Sequence, residues 1–310
     1  MHIQRGFQRP DQYRGGWFTI GNFDGVHRGH QSMLATLVAR AASAGTRAVV
    51  LTFDPHPIAL LRPQQTPPAL SLLDHKLDLF AQHGIDTVVV YPTDHTLLRL
   101  TPDEFFREIV LGQLNASGLV EGPNFYFGHN RTGNVQTLRE LCEASGCSLE
   151  VVPAVSVNDR MISSSEVRSR IASGQIAEAV QMLGHPYRLR GHVVSGAMRG
   201  RTIGFPTANL ERITTLLPPD GTYAGLCAVS GATYPAAINL GPNPTFGEVP
   251  RKFEVHLIGF TGDLYGQTLD VDLLSRVRDV VRFESIDALK QQLKQDMETV
   301  RALANTASAQ

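Results

Sequence analysis

Two histidines three residues apart, His27 and His30, end a loop with glycines at 21, 25 and 29 in the stretch GNFDGVHRGH (21–30). Glycine lets a backbone turn sharply and lie close to a ligand, and the unpaired N–H groups of a helix that starts there favour an anion. Residues three apart share one helix face, so the two imidazoles can donate hydrogen bonds to phosphate oxygens as charge develops. Gly21, Asn22, Asp24 and Gly25 are the loop's other candidates for contact with a phosphate-bearing ligand. A second anion-binding helix start is offered by ISSSEVR (162–168), where Ser163, Ser164 and Ser165 precede Arg168, and Ser163 has capping-box spacing to Glu166. Taken singly, the first stretch reads equally well as a structural turn with two solvated histidines, and ISSSEVR more often as just a helix cap.

The second half carries a different set. Gly196, Gly200 and Gly204 punctuate GHVVSGAMRGRTIGFPTANL (191–210), and backbone N–H groups of such a segment can face phosphates. Thr207 and Asn209 offer a hydroxyl and an amide oxygen to a hard cation, but on four residues alone PTAN (206–209) reads as an ordinary turn. If FEVHLI (253–258) is a strand, Phe253, Val255 and Leu257 form a core face and Glu254 lies opposite, beside His256, able to face a ligand; taken alone it reads as a solvated strand carboxylate. No G-x-x-x-x-G-K-[ST] occurs in the chain, which excludes a Walker-type kinase.

The elements that must position these residues differ between the halves. FTIGNF (18–23), AVVLTF (48–53), DTVVVY (86–91) and CSLEVV (147–152) read as strands. A helix with Met33, Leu34, Leu37, Val38 and Ala41 on its apolar positions follows the first strand, and Gly45 stops it. Further helices are expected near 102–112, 135–145 and 164–183. This alternation predicts an α/β fold with a parallel sheet covered on both faces. Beyond LGHPYRLRG (183–191) come short alternating runs separated by Gly and Pro, the pattern of a small antiparallel barrel. One amphipathic helix closes the chain; Ser285 can cap it, Ile286, Leu289, Leu293 and Val300 fall near one face, and it is expected only to pack on the barrel. The domains are expected to be 1–184 and 185–310, joined around Gly184–Tyr187.

Composition narrows the partners. A net charge of -1 argues against general nucleic-acid binding. Cys142, Cys147 and Cys227 form no paired or zinc framework and read as ordinary thiols. The N-terminus lacks the apolar run of a signal peptide, and no stretch is apolar enough to span a bilayer. A cytoplasmic protein with neither membrane nor nucleic-acid partner is expected, and the sequence leaves a homo-oligomer open.

With these residues in view a resemblance can be stated. GNFDGVHRGH looks like the signature of the HxGH nucleotidyltransferases, in the form found in prokaryotic bifunctional riboflavin kinase/FAD synthetases. TFDPHP (52–57) matches a string that contacts flavin or nucleotide in that family, implicating Phe53, Asp54, His56 and Pro57. GPNFYFGHNRTGN (122–134) resembles its flavin loop, G-x-D-F-x-F-G-x-x-R-x-G, through Phe125, Arg131 and Gly133, with Asn124 in place of the acid. ISSSEVR is similar to I-S-S-T-x-I-R, Ser165 keeping the hydroxyl.

PTAN (206–209) resembles the riboflavin kinase signature. NLGPNPTFGE (239–248) resembles N-I-G-x-R-P-T-F with Asn243 for arginine, and RDVVRF (278–283) keeps Arg278 and Phe283 of R-x-E-x-x-F with Val280 for glutamate. The resemblance runs over roughly residues 15 to 300, with the motifs in family order. It implies a Rossmann-like nucleotidyltransferase domain before a riboflavin kinase barrel, with riboflavin, FMN and ATP as substrates, FMN and FAD as products, and Mg2+ as cofactor. It also implies direct in-line transfer, with His27 and His30 at the α-phosphoryl group, Thr207 and Asn209 as Mg2+ ligands and Glu254 as base. Two other readings remain: a nucleotidyltransferase for a different phosphate ester, which would not carry the flavin-specific second half, and a flavin-binding regulator without catalysis, which would not need His27, His30, Thr207, Asn209 and Glu254 together.

Overall fold

The β-branched runs become the centre of a six-stranded, all-parallel sheet. Its strands are β1 (His2–Arg5), β2 (Trp17–Ile20), β3 (Ala48–Phe53), β4 (Thr87–Tyr91), β5 (Gly118–Glu121) and β6 (Ser148–Val151), in the spatial order β1-β4-β3-β2-β5-β6. The computed structural model describes residues 1–308 apart from 158, 197, 198, 244, 246 and 247. Alternation along β3 divides the core in two. Val49 and Leu51 pack with Phe18, Ile20 and Val89 on one face, while Ala48 and Val50 pack with Leu34, Leu37, Val88 and Val90 on the other. From β2 the chain builds outward to β3 and β4, then returns to place β5 on the opposite side of β2. The switch point therefore lies between β2 and β5, where ligands of open α/β sheets collect.

Helix α1 (Arg28–Ser43) follows β2 and buries Leu34, Leu37 and Ala41. Helices α2 (Leu73–Gln82) and α3 (Val135–Ser145) begin near the expected places or fill unassigned chain. The helix expected near 102–112 starts with a Thr101–Glu104 capping box and then widens into a π-helix over Phe105–Gln113. The single helix expected over 164–183 is two, α4 (Ser164–Ala172) and α5 (Ile176–Leu183), because Gly174 between them takes a φ of +78°.

Six antiparallel strands close a barrel: β7 (Tyr187–Val194), β8 (Ala208–Glu211), β9 (Gly221–Val229), β10 (Ala232–Asn243), β11 (Glu248–Leu257) and β12 (Thr268–Arg278), in the order β7-β8-β11-β10-β9-β12. Closure leaves no unpaired strand edge. On the outside, Arg188 faces Asp272 and Arg190 faces Asp270 directly across the β7–β12 ladder in two-pronged pairs of 2.6–2.8 Å. Each pair contributes roughly 0.2–1 kcal/mol and fixes the register. The closing helix α6 (Ile286–Ser308) is capped as expected, Ser285 Oγ accepting from the Ala288 N–H at 3.1 Å. Leu289, Met297, Val300 and Ala304 are buried, whereas Ile286, expected on that face, is 50% exposed in the first turn.

The chain forms two compact units, residues 1–67 with 72–163, and 68–71 with 164–310. No helix among the described residues is long and apolar enough to cross a membrane. All three cysteines are buried thiols.

Candidate nucleotidyl-transfer and kinase sites

In the first unit the loop from Gly21 to His27 joins the end of β2 to α1. Phe23, Gly25 and Val26 take φ values of 49°, 79° and 37°. For Phe and Val this left-handed region costs of order 1–3 kcal/mol each, and it persists only where packing enforces it. Phe23 is buried edge-on against Phe80 and against the His30 ring, and Val26 is fully buried. The loop is thus held in one shape.

His27 is the N-cap of α1: its Nδ1 accepts the His30 N–H at 3.3 Å. A neutral His27 with Nδ1 accepting carries its proton on Nε2, where it can donate to a ligand. The two rings stack at 3.6 Å, 14° from parallel. His30 keeps some exposed surface, but its Nδ1 is buried and has no partner among the described residues. Burial, then His27, then Lys76 push its pKa well below the ordinary histidine range, so it is neutral at physiological pH. The two rings thus stand together at the start of α1.

The other predicted residues of this half are placed as follows. Asp24 is buried in the loop. The Ile162 carbonyl lies 3.9 Å from where a Cβ on Gly29 would sit, which brings the segment just before Ser163 beside the first turn of α1. Ser164 and Ser165 open α4 in the second unit, where Arg168 Nε donates to the Pro68 carbonyl at 2.8 Å. Phe53 ends β3 and packs on the core. The Asp54–Pro55 peptide is cis, and His56 caps a short helix beginning at Pro57, its Nδ1 accepting from Ile58 at 3.1 Å. Phe125 stacks on Phe127 at 5.5 Å, the Arg131 guanidinium lies 4.9 Å from the centre of the exposed Tyr126 ring, and the Asn124 amide touches the Met161 sulfur at 3.6 Å.

In the barrel, Glu254 sits in register between Asn209 on β8 and Asn239 on β10. Phe253, Val255 and Leu257 are buried on the opposite face, as alternation requires. Thr207, Asn209, Glu254, Arg278, Phe283 and Gly200 line one cavity. A Cβ on Gly196 would overlap the Asn209 amide and force that side chain to shift; Gly204 takes a φ of +89°. His256 Nδ1 lies 2.7 Å from the Pro206 carbonyl and tethers the Thr207–Asn209 segment. A hydroxyl and an amide oxygen suit Mg2+, and no group of three or more His, Cys, Asp or Glu able to hold a metal occurs among the described residues. An ion held here would draw its other ligands from substrate phosphates and water, which is the manner of Mg2+. Ala197 and Met198 of the glycine-rich segment, and Pro244, Phe246 and Gly247 of NLGPNPTFGE, lie outside the described residues.

Comparison with known proteins follows the same division. The FAD synthetase family model matches residues 10–166 and the riboflavin kinase model residues 183–304. The bifunctional riboflavin kinase/FMN adenylyltransferase of Pseudomonas fluorescens is 34% identical over 98% of both chains. That of Escherichia coli K12 is 34% identical over 97% of both. The chain belongs to the bifunctional riboflavin kinase/FMN adenylyltransferase family. A solved structure titled macrolide-efflux protein from Streptococcus pneumoniae shares the fold, with a TM-score of 0.85 and 29% identity over 97% of this chain and 99% of that one.

Several residues of this family member gave no signal in the sequence. Lys76 on α2 is 8% exposed and donates to the Asn22 carbonyl at 3.1 Å, pinning the loop from behind. Burial lowers its pKa, opposed by the carboxylates of Asp24 and Asp54. Glu121, the last residue of β5, is 1% exposed; its Oε1 accepts the Ile20 N–H at 2.8 Å where the β2–β5 ladder runs out. Its Oε2 has no partner among the described residues, and burial raises its pKa well above the carboxylate range. The closing helix is a correction: it lines the barrel cavity with Leu289, Leu293 and Met297 besides packing on the barrel. Its Asp296, 1% exposed, takes three bonds of 2.8–3.1 Å from Arg278, whose guanidinium lies 5.7 Å from the Phe283 ring centre.

Glu121 makes a pH prediction. A carboxyl whose folded pKa is raised binds more protons folded than unfolded, so stability falls as pH rises from the unfolded value near 4.5 through the folded one. Glu121→Gln keeps an acceptor for Ile20 without the ionisation cost. It is expected to raise the thermal midpoint of the protein at pH 8, by about 1–3 kcal/mol in stability, with the gain shrinking toward pH 4. A gain independent of pH would count against the assignment.

Proposed function

We propose that the barrel phosphorylates the riboflavin 5′-hydroxyl with ATP, and that the sheet domain transfers AMP from a second ATP to the FMN so formed, giving FAD and pyrophosphate. The observation that carries the reading is the His27–His30 pair stacked at the start of α1, at the end of β2. In adenylylation a phosphate oxygen of FMN bonds to the α-phosphorus of ATP while the bond to pyrophosphate breaks. No protein nucleophile is needed, and the chain contributes positioning and donors. His27 and His30 donate to the α-phosphoryl oxygens. Gly21, Asn22, Asp24, Gly25, Ser163, Ser164, Ser165 and Arg168 bind ATP; Phe53, Asp54, His56, Pro57, Asn124, Phe125 and Arg131 hold the flavin.

In phosphorylation Glu254 takes the proton of the 5′-hydroxyl as that oxygen bonds to the γ-phosphorus and ADP leaves. Gly196, Gly200 and Gly204 present backbone to the ATP phosphates, and Arg278 and Phe283 border the flavin. Thr207 and Asn209 would hold Mg2+, which when bound neutralises charge on the transferring phosphoryl group. The functional domains are taken as 1–184 and 185–310; by contact, residues 164–183 belong with the barrel. A cytoplasmic location suits both substrates.

The test is a time course with riboflavin, ATP and Mg2+, the flavins separated by chromatography. FMN should rise first and FAD follow. FMN alone would remove the first unit's activity, and FAD made only from added FMN would remove the barrel's.

A further inference from the structure

Resting on the reading of Glu254 as base, we propose that Asn243 is a positioning residue for riboflavin phosphorylation, clamping one oxygen of the Glu254 carboxylate while Asn239 clamps Asn243. Asn243 ends β10 just past an irregularity in the ladder: Gly241 pairs with Lys252, but Asn243 pairs with Glu248. Gly241 takes a φ of +132°, backbone that side-chain-bearing residues rarely adopt. Beyond this kink, Asn243 Nδ2 donates to Glu254 Oε2 at 3.1 Å, and Asn243 Oδ1 accepts from Asn239 Nδ2 at 3.3 Å. All three side chains line the same cavity.

The amide can point only one way. Turned over, it would set its oxygen against a carboxylate oxygen and its NH2 against the Asn239 donor. Each link therefore fixes the next: Asn239 orients Asn243, and Asn243 stops the carboxylate from rotating about its last bond. With Oε2 held, Oε1 is the oxygen that takes the substrate proton. A general base works only within hydrogen-bond reach of that proton, so a carboxylate free to turn loses rate. The clamp is also neutral.

The test measures FMN formation by the full-length chain in Asn243→Ala, Asn243→Asp and Glu254→Gln, with FAD formation from added FMN and a thermal melt as folding controls. Asn243→Ala should lower kcat about tenfold while the KM for riboflavin and for ATP stay within about twofold. Asn243→Asp, nearly identical in shape, should be the worse of the two, lowering kcat about 100-fold, because it removes the donor and sets a second carboxylate against Glu254. A purely structural role would give the opposite order. The proposal is overturned if Asn243→Ala keeps the wild-type kcat, or if Asn243→Asp is the more active variant, while Glu254→Gln is dead. Wild-type activity in Glu254→Gln would instead overturn the base assignment on which the proposal rests.

Discussion

His27→Ala is expected to lower FAD formation from FMN by about 10²–10³-fold, the usual cost of removing one preorganised donor to a transition-state oxyanion. FMN formation from riboflavin should continue at its wild-type rate. As the N-cap, His27 accepts the His30 N–H on Nδ1 at 3.3 Å, so in that tautomer its ring N–H is on Nε2. His30 cannot substitute as a cation, because burial holds it neutral. Alanine also removes the cap, which costs about 1 kcal/mol of stability. His27→Asn separates the two losses, since asparagine caps a helix well but does not reproduce the imidazole N–H. If catalysis needs the imidazole, the asparagine variant will melt like the wild type and still fail to make FAD. Recovery of FAD formation in that variant would reduce His27 to a structural cap. Loss of FMN formation in a folded His27→Ala protein would break the division of labour between the two units.

What was legible in the sequence was local. The strands β2, β3 and β4 announce themselves by β-branched runs, the barrel strands by alternation, and the glycine-rich loop after β2 and the Thr207–Asn209 segment by residue types a few positions apart. β1 was not legible, because HIQR has no apolar pattern and lies at the sheet edge with mostly exposed residues. The charges missed in both halves share one cause. Lys76 meets Asn22 across 54 positions, Glu121 meets Ile20 across 101, and Arg278 meets Asp296 across 18. In sequence each reads as an ordinary solvated charge, and only the tertiary fold removes it from water. The same holds for α6: KQQLKQD looks like an exposed face until Arg278 folds against Asp296. The resemblance supplied roles for single residues, such as Arg278. It did not supply the contacts that hold them, and those contacts decide which side chains are rigid enough to act.

Glu254→Gln is expected to lower FMN formation by about 10²–10⁴-fold, the range a positioned general base contributes. FAD formation from added FMN should be unaffected. Glutamine keeps the shape and can still meet Asn243, so the cavity should remain intact and the KM for riboflavin near its wild-type value. The defect should appear in kcat alone, as it does when an interaction made only in the transition state is lost. The neighbours distinguish a base from a metal ligand. Asn209 is paired with Glu254 across β8 and β11 and faces the same cavity as Thr207. If Thr207 and Asn209 hold Mg2+, Asn209→Ala should be partly rescued by raising Mg2+, because weaker binding is offset by mass action. Glu254→Gln should gain nothing from added Mg2+, since a missing proton acceptor is not a concentration problem. Rescue of Glu254→Gln by Mg2+ would move Glu254 from the base to the metal's ligand set and leave the 5′-hydroxyl proton to be taken by another group in the cavity.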